Sequence, residues 1–230
     1  MSVTTPTAFW NCVDESDEIG SLDLTNNGTV TFSGNQAILN GSSQYLSHAD
    51  NATLDIGDFD FSYAAWIYPT SVAAGHKYVF SKYNSFEEVV LNLSGASLVF
   101  NVASGGASVT HGTALSANTR YLVVCTHDAT ANTLGISLNG GAYTTDVDTG
   151  IVSSTDGIFA IGARSVPDRY FPGRIGPFGF WKNYALTAAE VTEFYNGGTP
   201  ITYPFPGGGF SGSLTAPSLI RTDFFMGGGR

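Results

Sequence analysis

Apolar and polar residues alternate with period two over most of this chain, in short runs separated by Gly, Asn, Ser and Pro. That period puts successive side chains on opposite faces of an extended backbone, so each run reads as a strand. Runs at 8–14, 29–33, 36–40 and 44–48 open the chain, the later ones separated by Ser-Gly-Asn and Gly-Ser-Ser turns. Residues 59–69 form the longest and most aromatic run. In it Phe59, Phe61, Tyr63, Ala65 and Ile67 alternate with Asp60, Ser62, Ala64, Trp66 and Tyr68. This predicts a central strand ending at Pro69, which has no N–H to give a ladder. A meander is expected at 77–83, 88–93 and 98–103, with a turn at Ser94-Gly95-Ala96. The run within 120–127 is apolar on both faces and predicts double burial. Residues 133–138 end at Asn139-Gly140, a dipeptide suited to a tight hairpin turn with positive φ. Runs at 143–148, 157–163 and 175–181 complete the set. In the last, Phe178 and Phe180 face one way, Gly179 and Trp181 the other.

The period changes once. Thr187-Ala188-Ala189-Glu190 has the spacing of a capping box, in which hydroxyl and carboxylate each take a backbone N–H of the other. Val191, Phe194 and Tyr195 then fall at i, i+3 and i+4, and Asn196-Gly197-Gly198 supplies residues that tolerate the left-handed end of a helix. One short helix over about 187–196, among about a dozen strands at even spacing, predicts an all-β protein. Its expected architecture is a two-sheet antiparallel sandwich. No repeat of about 20–50 residues points to a solenoid or propeller.

Charge narrows the partners. With 19 acidic and 9 basic residues the net charge is −10, which argues against nucleic acid and against an anionic membrane surface. Charged residues are 12% of the chain, against roughly 25% in soluble domains, so Asn, Ser, Thr, Gly and Tyr carry the surface. Such a surface suits neutral polar matter or another protein. No apolar run reaches the roughly 18 residues of a membrane span, and residues 1–10 lack the basic start and apolar stretch of a secretory signal. Cys12 and Cys125 fall in expected strands and read as buried free thiols.

Several motifs in order resemble one family. These are Ala8-Phe9-Trp10, Ala37-Ile38-Leu39-Asn40-Gly41 with Gln44-Tyr45-Leu46, and Phe61-Ser62-Tyr63-Ala64-Ala65-Trp66-Ile67-Tyr68-Pro69 with Phe80-Ser81-Lys82-Tyr83. Leu134-Gly135-Ile136-Ser137-Leu138-Asn139-Gly140, Phe159-Ala160-Ile161-Gly162 and Gly173-Arg174-Ile175 with Ala185-Leu186-Thr187 and Glu190 continue the series. The order resembles laminin G-like domains of the concanavalin A-like class over residues 8–198, which implies a jelly roll. The ending, with Tyr203-Pro204-Phe205, resembles versions carried by bacteriophage proteins. The class serves lectins, adhesins, hydrolases and virion proteins alike, so it implies a fold and not a function.

A retaining glycosidase would need two carboxylates facing each other about 5 Å apart. The acidic stretch Glu15-Ser16-Asp17-Glu18 reads as a solvated loop, and Glu87-Glu88 points to opposite faces, so no catalytic pair is expected. His48, His76, His111 and His127 are scattered without ligand spacing, and His127-Asp128 reads as a strand end at the surface. The resemblance implies a calcium loop at Asp23-Leu24-Thr25-Asn26-Asn27-Gly28 together with an Asp near the closing strand. That second position here reads Ile175-Gly176-Pro177, so the loop is expected to be an Asx-type turn and neither cofactor nor metal is predicted. For a glycan, two loops offer aromatic rings beside polar groups. One holds Tyr83 and Asn84; the other holds Arg164, Asp168, Arg169 and Tyr170.

The chain thus divides into an arm at 1–7, a sandwich at 8–198 and a Gly/Pro-rich segment at 199–230. The last carries Tyr203, Phe205, Phe210, Leu219, Ile220, Phe224, Phe225 and Met226. Burial of one such side chain is worth about 1.5–3 kcal/mol, so the segment is expected either to wrap its own domain or, the favoured alternative, to pack on another subunit. Two functional readings follow, neither of them enzymatic. The first is a bacteriophage virion or decoration protein, a homo-oligomer anchored through this segment to copies of itself or other virion proteins and exposing a sandwich to host glycans. The second is a secreted, extracellular carbohydrate-binding or adhesion module.

Overall fold

The computed structural model describes residues 3–84, 87–102, 106–148, 156–164 and 168–206. The first strands are β1 (Ala8–Trp10), β2 (Thr25–Asn27), β3 (Thr31–Phe32), β4 (Ala37–Asn40), β5 (Tyr45–His48) and β6 (Phe61–Pro69). Then come β7 (His76–Tyr83), β8 (Glu87–Ser94), β9 (Ser97–Val102), β10 (Ala107–Thr110) and β11 (Tyr121–Asp128). The last are β12 (Thr133–Leu138), β13 (Thr144–Val147), β14 (Ile158–Ile161) and β15 (Pro172–Lys182), before one helix, α1 (Ala188–Tyr195). The expected all-β, two-sheet antiparallel sandwich with a single short C-terminal helix is the architecture observed. One sheet runs β13-β12-β11-β6-β15-β4-β3, with β1 added beside β15; the other runs β10-β9-β8-β7-β14-β5-β2. Strands β2 and β10 lie outside the expected runs: Thr25-Asn26-Asn27 has no apolar side to alternate, whereas Ala107-Ser108-Val109-Thr110 does alternate, its Ala107 and Val109 buried.

Strand β15 shows why two apolar faces are needed. It pairs with β4 through Pro172–Ile175 and with β1 through Phe178–Phe180, the register slipping at Gly176-Pro177, where proline has no N–H to donate. Phe178 and Phe180 turn into the space between the sheets with Phe61, Tyr63, Phe80 and Phe159. There the Tyr63 ring lies 4.4 Å from Phe80 and 4.6 Å from Phe180. Trp181 turns the other way, onto the outer face of the eight-stranded sheet, with Phe9, Trp66, Leu122 and Val124. Helix α1 covers that outer face with Val191 and Phe194, so Trp66 and Trp181 are fully buried there, while Trp10 is buried between the sheets against Phe159. The capping box forms at Thr187 and Glu190, and Asn196 ends the helix in the left-handed region.

Both ends of the described chain join the same outer face. Trp181 Nε1 donates to Thr4 O at 2.7 Å, and Lys182 N donates to Thr7 Oγ1 at 2.8 Å. Ile201 is buried there, and the Phe205 ring meets Phe9 at 5.2 Å and Phe194 at 5.8 Å. Tyr203 and Phe205 pack, half-buried, on their own sandwich, as in the alternative that wraps the segment across its own domain. Phe210, Leu219, Ile220, Phe224, Phe225 and Met226 lie outside the described residues.

Four local expectations also change. Strand β1 stops at Trp10, and Cys12 sits in a turn with φ 55°. Its thiol and that of Cys125 are free and buried, and burial pushes the Cys12 thiol up to about 12. Asp17 is not solvated. Its carboxylate accepts from the N–H groups of Phe9, Ile19, Gly20 and Leu22 at 3.0–3.2 Å and so folds the 14–24 loop around one buried charge. His127 is buried as well, its Nδ1 2.8 Å from Phe59 O and its Nε2 3.0 Å from Asp148 Oδ2.

Candidate functional site

The outer face of the seven-stranded sheet is built differently from the face under α1. On β7, Val79 and Phe80 both enter the core because the register with β8 slips between Tyr78 and Phe80. Tyr78 pairs with Asn92, Ser81 with Val90 and Tyr83 with Glu87, which sets these side chains on the outer face. Strand β14 lies beside β7, with Ile158 opposite Tyr83. The connection from β14 to β15 then folds back over this face. Gly162 N donates to Val79 O, Tyr78 N to Arg169 O and Ser81 Oγ to Ala163 O.

This return brings together the two loops that the sequence sets about 80 positions apart. Arg164 lies over the Tyr83 ring, its Cζ 5.1 Å from the centroid. Its Nε donates to Asp168 Oδ1 at 2.7 Å, and its Nη2 pairs with Asp168 Oδ2. Beside it Arg169 stacks over Tyr78 at 5.3 Å and donates from Nη1 to the Tyr78 hydroxyl at 2.7 Å. That hydroxyl donates in turn to Glu87 Oε1 at 2.5 Å. Burial and then the Glu87 carboxylate push the Tyr78 phenol well above its ordinary range, so it stays a neutral donor. Partial burial works against the Arg164 charge, but Asp168 outweighs it and the net shift is upward. Tyr170 extends the patch toward β5, its ring 6.2 Å from that of Tyr45, and Asn84 stands exposed at the rim. Arg169 adopts φ 53°, an uncommon conformation for a residue with a side chain, in the middle of this cluster.

Tyr83, Arg164, Asp168, Arg169 and Tyr170 therefore sit on one surface. The Tyr83 ring is not the bare platform that a glycan loop suggests, since a guanidinium covers one side of it. The sequence reading missed Tyr78, Glu87 and Tyr45. The signal for the first two was the alternation along 77–83 and 87–93, obscured by the slip in register.

Lys82, Glu88 and Asp23 make their contacts within the fold. Lys82 is fully buried, with its Nζ 3.0 Å from Asp50, 2.6 Å from Asp55 and 2.9 Å from Glu88. Glu88 is thus a core ion-pair partner, while Glu87 faces outward. Around the loop for which the resemblance implies calcium, Asp23 Oδ1 accepts from Asp17 N and Asn26 Oδ1 from Val30 N. Ile175, buried in the core, offers no side-chain oxygen, so these residues do not fit a calcium ion. Among the described residues no three His, Cys, Asp or Glu side chains are grouped to hold a metal, and no helix is long and apolar enough to cross a membrane.

The sequence matches no protein of curated function. Residues 40–192 match the Laminin_G_3 family model, described as the concanavalin A-like lectin/glucanases superfamily. Among solved structures, domain 4 of AbnA, an extracellular arabinanase from Geobacillus stearothermophilus solved with arabinotriose, is similar with a TM-score of 0.66. It is 18% identical, and the match covers 83% of this chain and 98% of that one. The binding domain of botulinum neurotoxin serotype G matches with a TM-score of 0.60 at 15% identity, over 78% of this chain and 47% of the toxin domain. The serotype D binding domain gives 0.63 at 13%, over 79% and 48%. The chain thus spans about half the length of the toxin domains. At these identities the likeness establishes the fold. The chain belongs to the concanavalin A-like lectin/glucanases superfamily.

Proposed function

We propose that this protein is a non-catalytic carbohydrate-binding domain working outside the cell, with its sugar site on the outer face of the seven-stranded sheet. The observation that carries the reading is the convergence of two loops into a cluster of stacked arginines, tyrosines and carboxylates around Arg164 and Arg169. Sugars need apolar faces for their C–H surfaces and fixed polar groups for their hydroxyls, and this cluster holds both on a rigid sheet. The likeness to an arabinanase domain solved with arabinotriose supports the reading and supplies a first ligand to try. Calorimetric titration with arabinotriose and a wider glycan panel tests it. Arg164→Ala with Asp168→Ala should abolish binding while leaving the melting temperature nearly unchanged; retained binding would place the site elsewhere.

The virion decoration reading keeps one observation in its favour. Residues 199–206 run along the outer face of the eight-stranded sheet, opposite the Arg164 cluster, so anchoring beyond Pro206 would leave the candidate site pointing outward. Light scattering of the whole chain and of a chain ending at Pro206 tests this. Loss of an oligomer in the shorter chain supports the anchor, and two monomers dismiss self-association through it.

A further inference from the structure

We infer that the ligand of this face is an uncharged saccharide, bound through neighbouring hydroxyls by the Arg164–Asp168 pair; the inference rests on the carbohydrate-binding reading above. The charges of the site come already balanced. Arg164 is matched by Asp168 in a two-point fork, and Arg169 is matched by Glu87 through the Tyr78 hydroxyl. The neighbouring stretches Ser85-Phe86 and Ser165-Val166-Pro167 contain no ionisable residue, so nothing in them changes that sum. An acidic sugar entering here would meet two carboxylates for two guanidinium groups, on a chain whose net charge of −10 already repels anions. It would have to displace a carboxylate from its arginine to gain a partner.

A hydroxyl makes no such demand, because it both donates and accepts. In the fork, Arg164 places Nε and Nη2 on Asp168, which leaves Nη1 outside the pair, while the two carboxylate oxygens keep further lone pairs. Donor and acceptor therefore stand side by side, the complement of two hydroxyls on adjacent ring carbons. The Tyr83 ring beneath Arg164 holds the guanidinium in place, so little side-chain freedom is lost on binding.

Calorimetric titration of the full chain with neutral trisaccharides (arabinotriose, cellotriose, maltotriose) and with trigalacturonate, at low and high salt, is the test. The expected result is binding of at least one neutral probe with less than about a twofold change on adding salt, since no net charge is being screened. Trigalacturonate should bind at least about tenfold more weakly, a gap of about 1.4 kcal/mol. In Asp168→Asn, which uncovers the Arg164 charge, trigalacturonate should gain about threefold or more, within the range of a surface ion pair. Tighter binding of trigalacturonate to the natural chain, weakening with salt, would overturn the uncharged class while keeping a sugar site. Binding of neither kind of probe would overturn the carbohydrate reading itself and this inference with it.

Discussion

Asn11 and Tyr203 hold each other through both ends of one side-chain amide. Asn11 Nδ2 donates to Tyr203 O at 2.8 Å, and Tyr203 N donates to Asn11 Oδ1 at 2.8 Å, across 192 positions of sequence. The pair lies just past β1 and fixes the segment after α1 so that Phe205 meets Phe9. Asn11→Ala removes both bonds at a largely buried site and should cost about 1–3 kcal/mol. The Tyr203 amide should then exchange with deuterium much faster than the amides of β6 or β11; unchanged exchange would mean that side-chain packing alone holds the segment.

Two shortened chains separate the segment's packing from everything after it. A chain ending at Pro206 keeps Ile201, Tyr203 and Phe205 on the outer core; one ending at Gly198 loses all three. Burying one such side chain fully is worth about 1.5–3 kcal/mol, and two of these are half-buried, so the shorter chain should be about 3–5 kcal/mol less stable. Urea unfolding of the two chains measures the difference directly. Equal midpoints would show that these residues contribute nothing to the fold.

Lys82 is a second hinge of stability. Its buried ammonium meets three carboxylates, of which Glu88 is fully buried, Asp55 partly buried and Asp50 exposed. Burial alone lowers its pKa, but the ion pairs outweigh burial and raise it. Lys82→Met leaves Glu88 and its neighbours without a counter-charge and should cost about 3–5 kcal/mol. Lys82→Met combined with Glu88→Gln should recover part of that loss in the same unfolding assay.

Glu190 links acid to the N-terminal arm. Burial pushes its carboxyl up, but hydrogen bonds from Thr187, Thr4 and Tyr184 outweigh this and hold it below the ordinary glutamate value. A carboxylate lowered in the folded chain adds stability above its unfolded pKa and loses it as pH falls through the folded one. That contribution should therefore be complete at neutral pH and fade below about pH 4.3. Glu190→Gln should cost about 1–3 kcal/mol at pH 7, and the gap to the natural chain should narrow in melts at pH 3. A gap that stays constant would contradict the shift.

The fold was legible in the sequence because most of it rests on local rules. Alternation along 61–69 separates Phe61, Tyr63, Ala65 and Ile67 from Ala64 and Trp66, and the structure sends the two sets to different cores. The capping box at Thr187 and the Asn139-Gly140 turn are likewise short-range. What escaped depends on distant partners. Asp17 looks like a solvated acid until the N–H of Phe9 and of its own loop close on it. His127 looks like a surface strand end until Phe59 O and Asp148 enclose it. The candidate site was half legible: its loops were recognisable by composition, but their meeting depends on β14 lying beside β7, and Tyr78 turns to the outer face, buried beneath Arg169, only through a slip in register.

The central claim is that a saccharide binds on the outer face of the seven-stranded sheet. The most direct measurement is the change in backbone amide NMR shifts of the full chain during titration with the tightest glycan from the panel. The account predicts that shifts cluster at Tyr45, Tyr78, Tyr83, Arg164 and Asp168 to Tyr170, and that Thr4, Val191 and Tyr203 on the opposite face stay still. Shifts centred on that opposite face, or saturation with no change near Arg164, would contradict it.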